Sequence, residues 1–199
     1  PSTLEDINLV ARVETQNNGI LQMVEVFGES NITKLKGIIR DLAIAPENVR
    51  ANPEAIRAIL AADLIAMGPG SLYTSILPNL KVHGIAQALN ASRGKKIYIC
   101  NVSTQPGETD QYSCYDHAMI IQTAIQNTVL DAVICNDFHD HVIPENVSWV
   151  KINQRFLDEF NVFHGNLVDN QYPWRHDSEK LSSMLIQVYQ SLKSGEINS

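Results

Sequence analysis

The residues best suited to chemistry lie in a glycine-rich turn near the middle of the sequence. Gly68 and Gly70 flank a proline, Ser71 and Thr74 follow, and the apolar run 63–67 before them is typical of a buried parallel strand. A strand that ends in glycines and restarts as a helix directs backbone N–H groups and a helix dipole at one point. Such a turn can bind an anion. It can equally be a tight structural turn, in which the glycines supply positive φ angles and a hydroxyl caps the helix.

A second polar segment follows the apolar run 96–102. Its amide, hydroxyl and carboxylate side chains can hydrogen-bond a sugar or a base, and its glycine permits close approach of a ligand. These residues are Asn101, Thr104, Gln105, Gly107, Glu108 and Thr109. Ligands of open parallel sheets lie beyond the carboxyl ends of the strands, which are expected here at 68–71, 101–110 and 136–141. The glycine turn and this loop are therefore predicted to form one wall of a ligand site.

Two further residues are candidates, each with an alternative role. Asp116 stands near an expected helix start, where its carboxylate caps the helix or acts as a general base, and capping is the more ordinary role. Arg175 precedes the last expected helix. Its guanidinium could hold a phosphate through two hydrogen bonds, or form a surface ion pair with Asp177 or Glu179.

Other signatures of catalysis or metal binding are weak. His139-Asp140-His141 places two histidines on one face of an extended chain, but no third ligand stands at a telling spacing. The sequence has no Gly-x-Ser-x-Gly turn, no Walker loop and no paired catalytic cysteine and histidine. We therefore predict no catalytic residue and no metal ligand.

Composition limits the class of protein. The 199 residues are 44% hydrophobic with a mean hydropathy of -0.11, which allows a sizeable core. The formal net charge is -7 and no stretch concentrates Lys or Arg, so nucleic acid is not an expected partner. No apolar run is long enough to span a membrane. Cys100, Cys114 and Cys135 lack a CxxC spacing and are expected to be buried free thiols, which indicates a reducing, cytoplasmic compartment.

The elements that must position these residues follow from hydrophobic periodicity. Residues 7–14 and 21–27 alternate with period two around the turn 15–19, which predicts an antiparallel hairpin. Strands and helices then alternate, which is typical of a parallel, doubly wound α/β unit. The expected strands are 37–44, 64–67, 96–102 and 131–136, with short ones at 148–152 and 161–163. The expected helices are 53–62, 71–92 with an interruption near Pro78, 115–127 and 178–193.

Several of these motifs, in this order, resemble the gluconeogenesis factor family, the YvcK branch of the CofD-like proteins. The matching residues are Gly68-Pro69-Gly70-Ser71-Leu72-Tyr73-Thr74-Ser75-Ile76-Leu77-Pro78-Asn79-Leu80, Tyr98–Val102, Thr104–Thr109 and Asp116-His117. Arg175-His176 resembles the family's C-terminal Arg-His motif. The resemblance covers about Pro1 to Lys193 and is weaker after Asn136.

The resemblance implies an α/β fold, a Rossmann-like three-layer α/β/α sandwich with an N-terminal antiparallel β-hairpin. It implies a regulatory protein of gluconeogenesis and cell-shape control that binds a sugar nucleotide such as UDP-glucose or UDP-N-acetylglucosamine. The alternative is a transferase like 2-phospho-L-lactate transferase, with Mg²⁺ as a possible cofactor. A homodimer or higher oligomer is expected. The implied ligand-binding residues are Gly68, Gly70, Ser71, Leu72, Tyr73, Thr74, Asn101, Thr104, Gln105, Gly107, Glu108, Thr109, Asp116 and Arg175.

The family's other signature is a Gly-Gly-Gly-Thr-Gly loop after its first strand, and this sequence does not contain it. Together with a first residue that is Pro1 and not methionine, this leads to the expectation that residues 1–199 are the C-terminal portion of one CofD-like domain. Within it, 1–45 would form the hairpin region, 46–140 the parallel core and 141–199 a C-terminal segment with the final helix. The missing N-terminal half, with its glycine-rich loop, would complete the nucleotide site.

Overall fold

The N-terminal region is a three-stranded antiparallel sheet. The computed structural model describes residues 1–195 apart from positions 18, 36 and 127. Strands β1 (Asn8–Asn17), β2 (Ile20–Phe27) and β3 (Ile38–Ala45) lie in the order β2-β1-β3, with antiparallel pairing on both sides of β1. The predicted hairpin is confirmed, and the third predicted strand extends it. The predicted turn 15–19 includes position 18, which lies outside the described residues.

The second sheet is parallel and carries the site. Strands β4 (Leu64–Met67), β5 (Lys95–Ile99), β6 (Ala132–Asn136) and β7 (Val162–Gly165) pair in chain order. All five residues of β6 are buried, as expected for a strand that is covered on both faces. These four strands confirm the parallel α/β unit.

Helices complete the layers on the two faces of the parallel sheet. They are α1 (Glu29–Ile32), α2 (Pro53–Ala61), α3 (Leu77–Lys81), α4 (Ile85–Ala91), α5 (Cys114–Ala124), α6 (Gln154–Glu159) and α7 (Ser178–Ser194), with a π-helical turn at Leu72–Ile76. Because side chains alternate along a strand, Tyr98 joins the core with α3 to α5, whereas Ile97 and Ile99 pack against α7. Crossovers between parallel strands are right-handed, so strands added in one direction place their connecting helices on one face. The connecting helices thus cover one face of the sheet and α7 covers the other, which confirms the three-layer α/β/α arrangement.

Two sequence-based expectations need correction. The helical region 71–92 does change near Pro78, where the π-helical turn gives way to α3, and Pro78 lies in the first turn of α3, where a missing N–H removes no helical hydrogen bond. A second break, which was not expected, lies at 82–84, where Gly84 adopts a φ of +100° before α4. The segment 148–152 forms no strand and contributes a single bridge between Trp149 and Ser103. The predicted helix 115–127 ends at a position outside the described residues.

The two sheets share one core. Val13 and Ile39 of the antiparallel sheet are buried in the same apolar cluster as Leu72 and Tyr98 of the α/β unit. The N-terminal region is therefore packed onto the α/β unit. Across the described ranges, no helix has both the length and the apolar composition needed to cross a membrane.

Candidate functional site

An open cleft of about 650 Å³ lies beyond the carboxyl ends of β4 and β5. One wall is the glycine turn and the polar loop after β5, and the other is the segment 174–178 that leads into α7. Seven of the predicted ligand-binding residues line it: Gly70, Ser71, Asn101, Thr104, Gln105, Glu108 and Arg175. The structure thus brings together two sequence segments and a third that is about seventy residues further along the chain.

Glu108 occupies the position that the sequence analysis assigned to an external anion. The Ser71 hydroxyl donates to one oxygen of the Glu108 carboxylate, and the Thr74 hydroxyl donates to the other over 3.1 Å. The backbone N–H of Tyr73 also donates to this carboxylate, at 3.4 Å. Glu108 is only 6% exposed. The donors of the turn are therefore directed at an internal anion.

The two glycines of the turn have different roles. Gly68 has a φ of +92°, and a Cβ atom there would lie 2.7 Å from the carbonyl oxygen of Ile99, so only glycine fits. Gly70 has no such constraint, because the nearest atoms to its Cβ position are 3.7 Å away. The structural alternative from the sequence analysis therefore accounts for Gly68, whereas Gly70 lies at the cleft surface.

Side chains of the polar loop hold the loop itself in place. The Asn101 amide donates to the carbonyl of Gly70 at 3.0 Å and to the side-chain oxygen of Gln105 at 3.2 Å. The Thr109 hydroxyl accepts from the N–H of Gln105 at 2.9 Å, and the Thr104 hydroxyl accepts from the N–H of Ser148 at 2.9 Å. These bonds fix the shape of the first wall before any ligand arrives.

The opposite wall presents the positive charge of the cleft. Arg175 is exposed, and its guanidinium carbon lies 5.8 Å from the centre of the Tyr172 ring. Within the described part of the chain, no carboxylate lies within 4.0 Å of that guanidinium, and Asp177 instead caps α7. The surface ion pair considered for Arg175 is therefore not formed.

His176, next to Arg175, is neutral at physiological pH. Burial lowers its pKa to about 4, and a backbone hydrogen bond with Cys100 offsets only part of that effect. Its Nε2 atom is buried and has no hydrogen-bond partner among the residues that the structure describes. Because His176 is uncharged, Arg175 is the single cation among the described residues that line the cleft.

Other predicted site residues lie outside the cleft lining. Leu72 and Tyr73 belong to the core at 0% and 6% exposure, and the Tyr73 hydroxyl lies 2.9 Å from that of Tyr112. Thr74 lies behind Glu108, and Thr109 is fully buried. These side chains support the wall from behind.

Gly107 and Asp116 also serve local structure. Gly107 has a φ of +81°, and a Cβ atom there would lie 2.7 Å from the carbonyl oxygen of Thr33. The Asp116 carboxylate accepts from the N–H and the hydroxyl of Ser113, at 2.8 and 2.6 Å, in a capping box that starts α5. Capping, the more ordinary of its two expected roles, is the role that the hydrogen bonds show.

The histidines of the 139–141 segment do not converge on one point. The His139 ring packs against Trp149 at 5.3 Å between ring centres, whereas His141 packs against Phe138 at 5.4 Å. In the described residues, the one group of at least three possible metal ligands consists of cysteines. The two histidines of the segment therefore face different aromatic partners.

Sequence reasoning missed part of the lining. The residues are Thr33, Ser103, Val147, Trp174, Ser178 and Leu181, whereas Pro69, Val102, Pro106 and His176 entered only as parts of motifs. Trp174 could have been found from its position beside Arg175. Thr33 carries no such signal, because it reaches the cleft through the tertiary contact of its backbone with Gly107.

Comparison with known proteins identifies the family. The family model described as 2-phospho-L-lactate transferase CofD matches residues 1–192. The chain belongs to the CofD family. Within that family, it is 36% identical to a gluconeogenesis factor of Listeria monocytogenes over 92% of its length, and 34% identical to a putative gluconeogenesis factor of Clostridium acetobutylicum over 97%. The resemblance to the gluconeogenesis factors is confirmed.

A solved structure supports the same assignment for this CofD-family chain. A UPF0052-family protein of Bacillus halodurans superposes with a TM-score of 0.80 at 32% identity, covering 94% of this chain and 60% of that protein. The CofD-family chain also spans about half the length of the curated relatives, 57% of the Listeria protein and 44% of the Clostridium protein.

Proposed function

We propose that the cleft is one wall of a sugar-nucleotide site in a regulatory protein of central carbon metabolism. The ligand would be of the UDP-glucose or UDP-N-acetylglucosamine type, and the protein would act in gluconeogenesis and in cell-shape control, in the cytoplasm. The names of the relatives support a role in gluconeogenesis, because the matched proteins are called gluconeogenesis factors. The residues of the second wall supply the argument for a nucleotide.

The observation that carries this proposal is the exposed Arg175 in the cleft, which has no carboxylate within 4.0 Å among the described residues. Asp169 interacts with it only at longer range. A guanidinium in this setting can hold a phosphate through two parallel charge-assisted hydrogen bonds. Because Glu108 already occupies the donors of the glycine turn, a diphosphate would have to meet its positive partner on the Arg175 side. We expect the diphosphate to lie against this second wall.

The neighbours of Arg175 suit the remaining parts of such a ligand. Trp174 lines the cleft and offers an aromatic face on which a uracil base could stack. At the opposite wall, the Asn101 side-chain oxygen and the Gln105 side-chain nitrogen take no part in the bond between these two amides, which suits the hydroxyls of a sugar. The remaining contacts would come from an N-terminal half such as the longer relatives contain.

Calorimetric titration of the full-length protein with UDP-glucose and UDP-N-acetylglucosamine tests the proposal. We expect saturable binding, and Arg175→Ala should weaken it about 10- to 100-fold, the size of a lost charge-assisted hydrogen-bond pair. Arg57→Ala is the matched control, because Arg57 is an exposed arginine on α2 outside the cleft. No heat above the blank with either ligand would rule out the sugar-nucleotide proposal, and unchanged affinity in Arg175→Ala would remove Arg175 from the site.

The second candidate is a nucleotide-dependent transferase, which the description of the matching family model favours. Such enzymes neutralise phosphate charge with a divalent ion, usually held by one or two carboxylates. Glu108 is the single carboxylate among the described residues that line the cleft, and its oxygens already accept three hydrogen bonds. The residues present therefore fit Mg²⁺ poorly, and no reaction step is assigned to it. Release of a nucleoside monophosphate from a donor and acceptor mixture, followed by chromatography, would favour this candidate over the first.

A further inference from the structure

Three cysteines meet beneath the floor of the cleft. Cys100 follows β5, Cys135 lies in β6, and Cys114 is the first residue of α5. Their exposures are 0%, 0% and 1%, and their sulfur atoms all lie within 4.8 Å of one another. Asn101, the residue after Cys100, lines the cleft. Residues from two strands and a helix thus converge on one point directly behind the candidate ligand site.

The fold itself brings the sulfurs together. Ile99 pairs with Ile134 in the parallel sheet, and the N–H of Cys100 donates to the carbonyl of Ile134 at 2.9 Å, so Cys100 and Cys135 lie side by side. Both side chains point to the face that α5 covers. Cys114 is held over them by its N–H, which donates to the carbonyl of Lys151 at 3.0 Å.

The three thiols are electrostatically unequal. Burial raises the pKa of Cys100 and of Cys135 above the usual range for a thiol. Hydrogen bonds from these two residues lower the pKa of Cys114, which also stands at the positive end of the eleven-residue helix α5. The Cys114 thiol also donates to the carbonyl of Val150 at 3.6 Å. Binding of a metal would replace these contacts and the thiol protons.

A buried hydroxyl lies beside these sulfurs. Tyr98 is fully buried, its electrostatic neighbours are Cys100, Cys135 and Cys114, and the Cys100 thiol is its hydrogen-bonding partner. A thiol sulfur is a weak acceptor for that donor. A metal-bound thiolate would accept it more strongly, as donors around a metal site commonly stabilise the ligands.

We propose that Cys100, Cys114 and Cys135 form a binding site for a single thiophilic d¹⁰ metal ion. Soft thiolates select Cu(I) and Zn(II) among the common ions. Among the described residues no imidazole or carboxylate shares the 4.8 Å limit with all three sulfurs, so the donor set is three sulfurs, which favours trigonal Cu(I) over tetrahedral Zn(II). Starting from three thiols, full ligation forms three metal–sulfur bonds, breaks three S–H bonds and releases three protons to the solvent.

Competitive titration of the reduced full chain under anaerobic conditions tests this site. Cu(I) is supplied with a coloured chelator of known affinity, and Zn(II) is titrated in a parallel arm. We expect one Cu(I) per chain, three sulfur neighbours by X-ray absorption, and weaker binding of Zn(II). Cys114→Ser should weaken Cu(I) binding by more than about 100-fold, because loss of an outer partner alone costs about 10- to 100-fold. Serine is well accommodated near a helix start, so this variant should fold.

Two further variants separate metal binding from packing. Tyr98→Phe keeps all three thiols and should weaken Cu(I) binding about 10-fold, which a merely structural role for the hydroxyl would not do. Ala132→Ser is the control for a polar change in β6, since Ala132 faces the α7 side of the sheet. Absence of one-to-one binding by either ion, or binding that all three Cys→Ser variants retain, would overturn the site. Tighter binding of Zn(II) than of Cu(I) would overturn the three-sulfur preference.

Discussion

The two walls of the cleft differ in how far their polar groups are already satisfied. On the first wall, the hydroxyls of Ser71 and Thr74 and the N–H of Tyr73 all donate to Glu108. On the second wall, the Arg175 guanidinium has no carboxylate within 4.0 Å among the described residues, and the buried Nε2 of His176 has no partner. The donors of the first wall are thus already bonded to Glu108, whereas polar groups of the second wall lack such partners among the described residues.

This difference changes how the glycine turn is interpreted. A helix start after a glycine-rich turn supplies donors for an anion, but the anion can be a side chain of the same protein. Here Glu108 takes that place, so the turn fixes the cleft wall, and recognition of a charged ligand falls to Arg175. Substitutions on the first wall should therefore lower the free energy of unfolding, because they break existing hydrogen bonds or contacts. Substitutions on the second wall should instead change ligand affinity or the pH dependence of stability.

The largest expected effect on the first wall comes from Gly68→Ala. The new Cβ would lie 2.7 Å from the carbonyl oxygen of Ile99, at a φ of +92°. We expect the free energy of unfolding to fall by about 3 kcal/mol, from backbone strain and overpacking together. Gly70→Ala is the matched control and should change it by less than about 0.5 kcal/mol, since its surroundings are open. Urea unfolding measures both, and equal losses would contradict the distinction between the two glycines.

Glu108→Ala should have the next largest effect. It removes the acceptor of Ser71, Thr74 and Tyr73 from a site where Glu108 is 6% exposed. We expect a loss of about 2 kcal/mol in the free energy of unfolding, because buried donors are left unpaired. Glu108→Gln retains one acceptor oxygen and should lose about half as much. The exposed Glu145→Ala is the control. A Glu108→Ala protein as stable as that control would show that Glu108 is not needed to fill the turn.

Much of the fold could be predicted from the sequence, because its signals are local. The strands 64–67 and 131–136 are continuous apolar runs, and the hairpin alternates with period two, so hydrophobic pattern alone locates them. The break at 82–84 was not predicted, because a glycine can lie within a helix or end it, and the sequence does not say which. The segment 148–152 has the pattern of a strand, but its hydrogen bonds with 102–104 form a single β-bridge, and Lys151 accepts from the N–H of Cys114 instead of from a strand.

The site was less predictable, because its geometry depends on contacts between distant residues. The sequence places Glu108 in the loop, but nothing in the loop shows that its carboxylate bonds to Ser71, 37 residues earlier. The burial of His176 likewise depends on packing that brings it against Cys100. The cysteines could be predicted to be buried, but their convergence requires the register of β5 against β6.

The second wall can be tested through the pH dependence of stability. Burial lowers the pKa of His176 from 6.5 to about 4 in the folded protein. The unfolded chain therefore binds a proton more readily than the folded one between these values, and stability falls as pH falls from 6.5 toward 4. Because His176 is partly exposed, we expect it to contribute about 2 kcal/mol to that loss, less than the full pKa difference would give.

His176→Gln should remove this part of the slope, since glutamine does not titrate. Urea unfolding at several pH values between 4 and 7 measures it, and the exposed His83→Gln controls for loss of an imidazole. A residual slope is expected, because burial also lowers the pKa of His117. If the slopes of His176→Gln and the parent coincide, His176 is not buried as a neutral group. The second wall would then carry a second cation beside Arg175, and the contrast between the walls would be one of charge more than of unpaired groups.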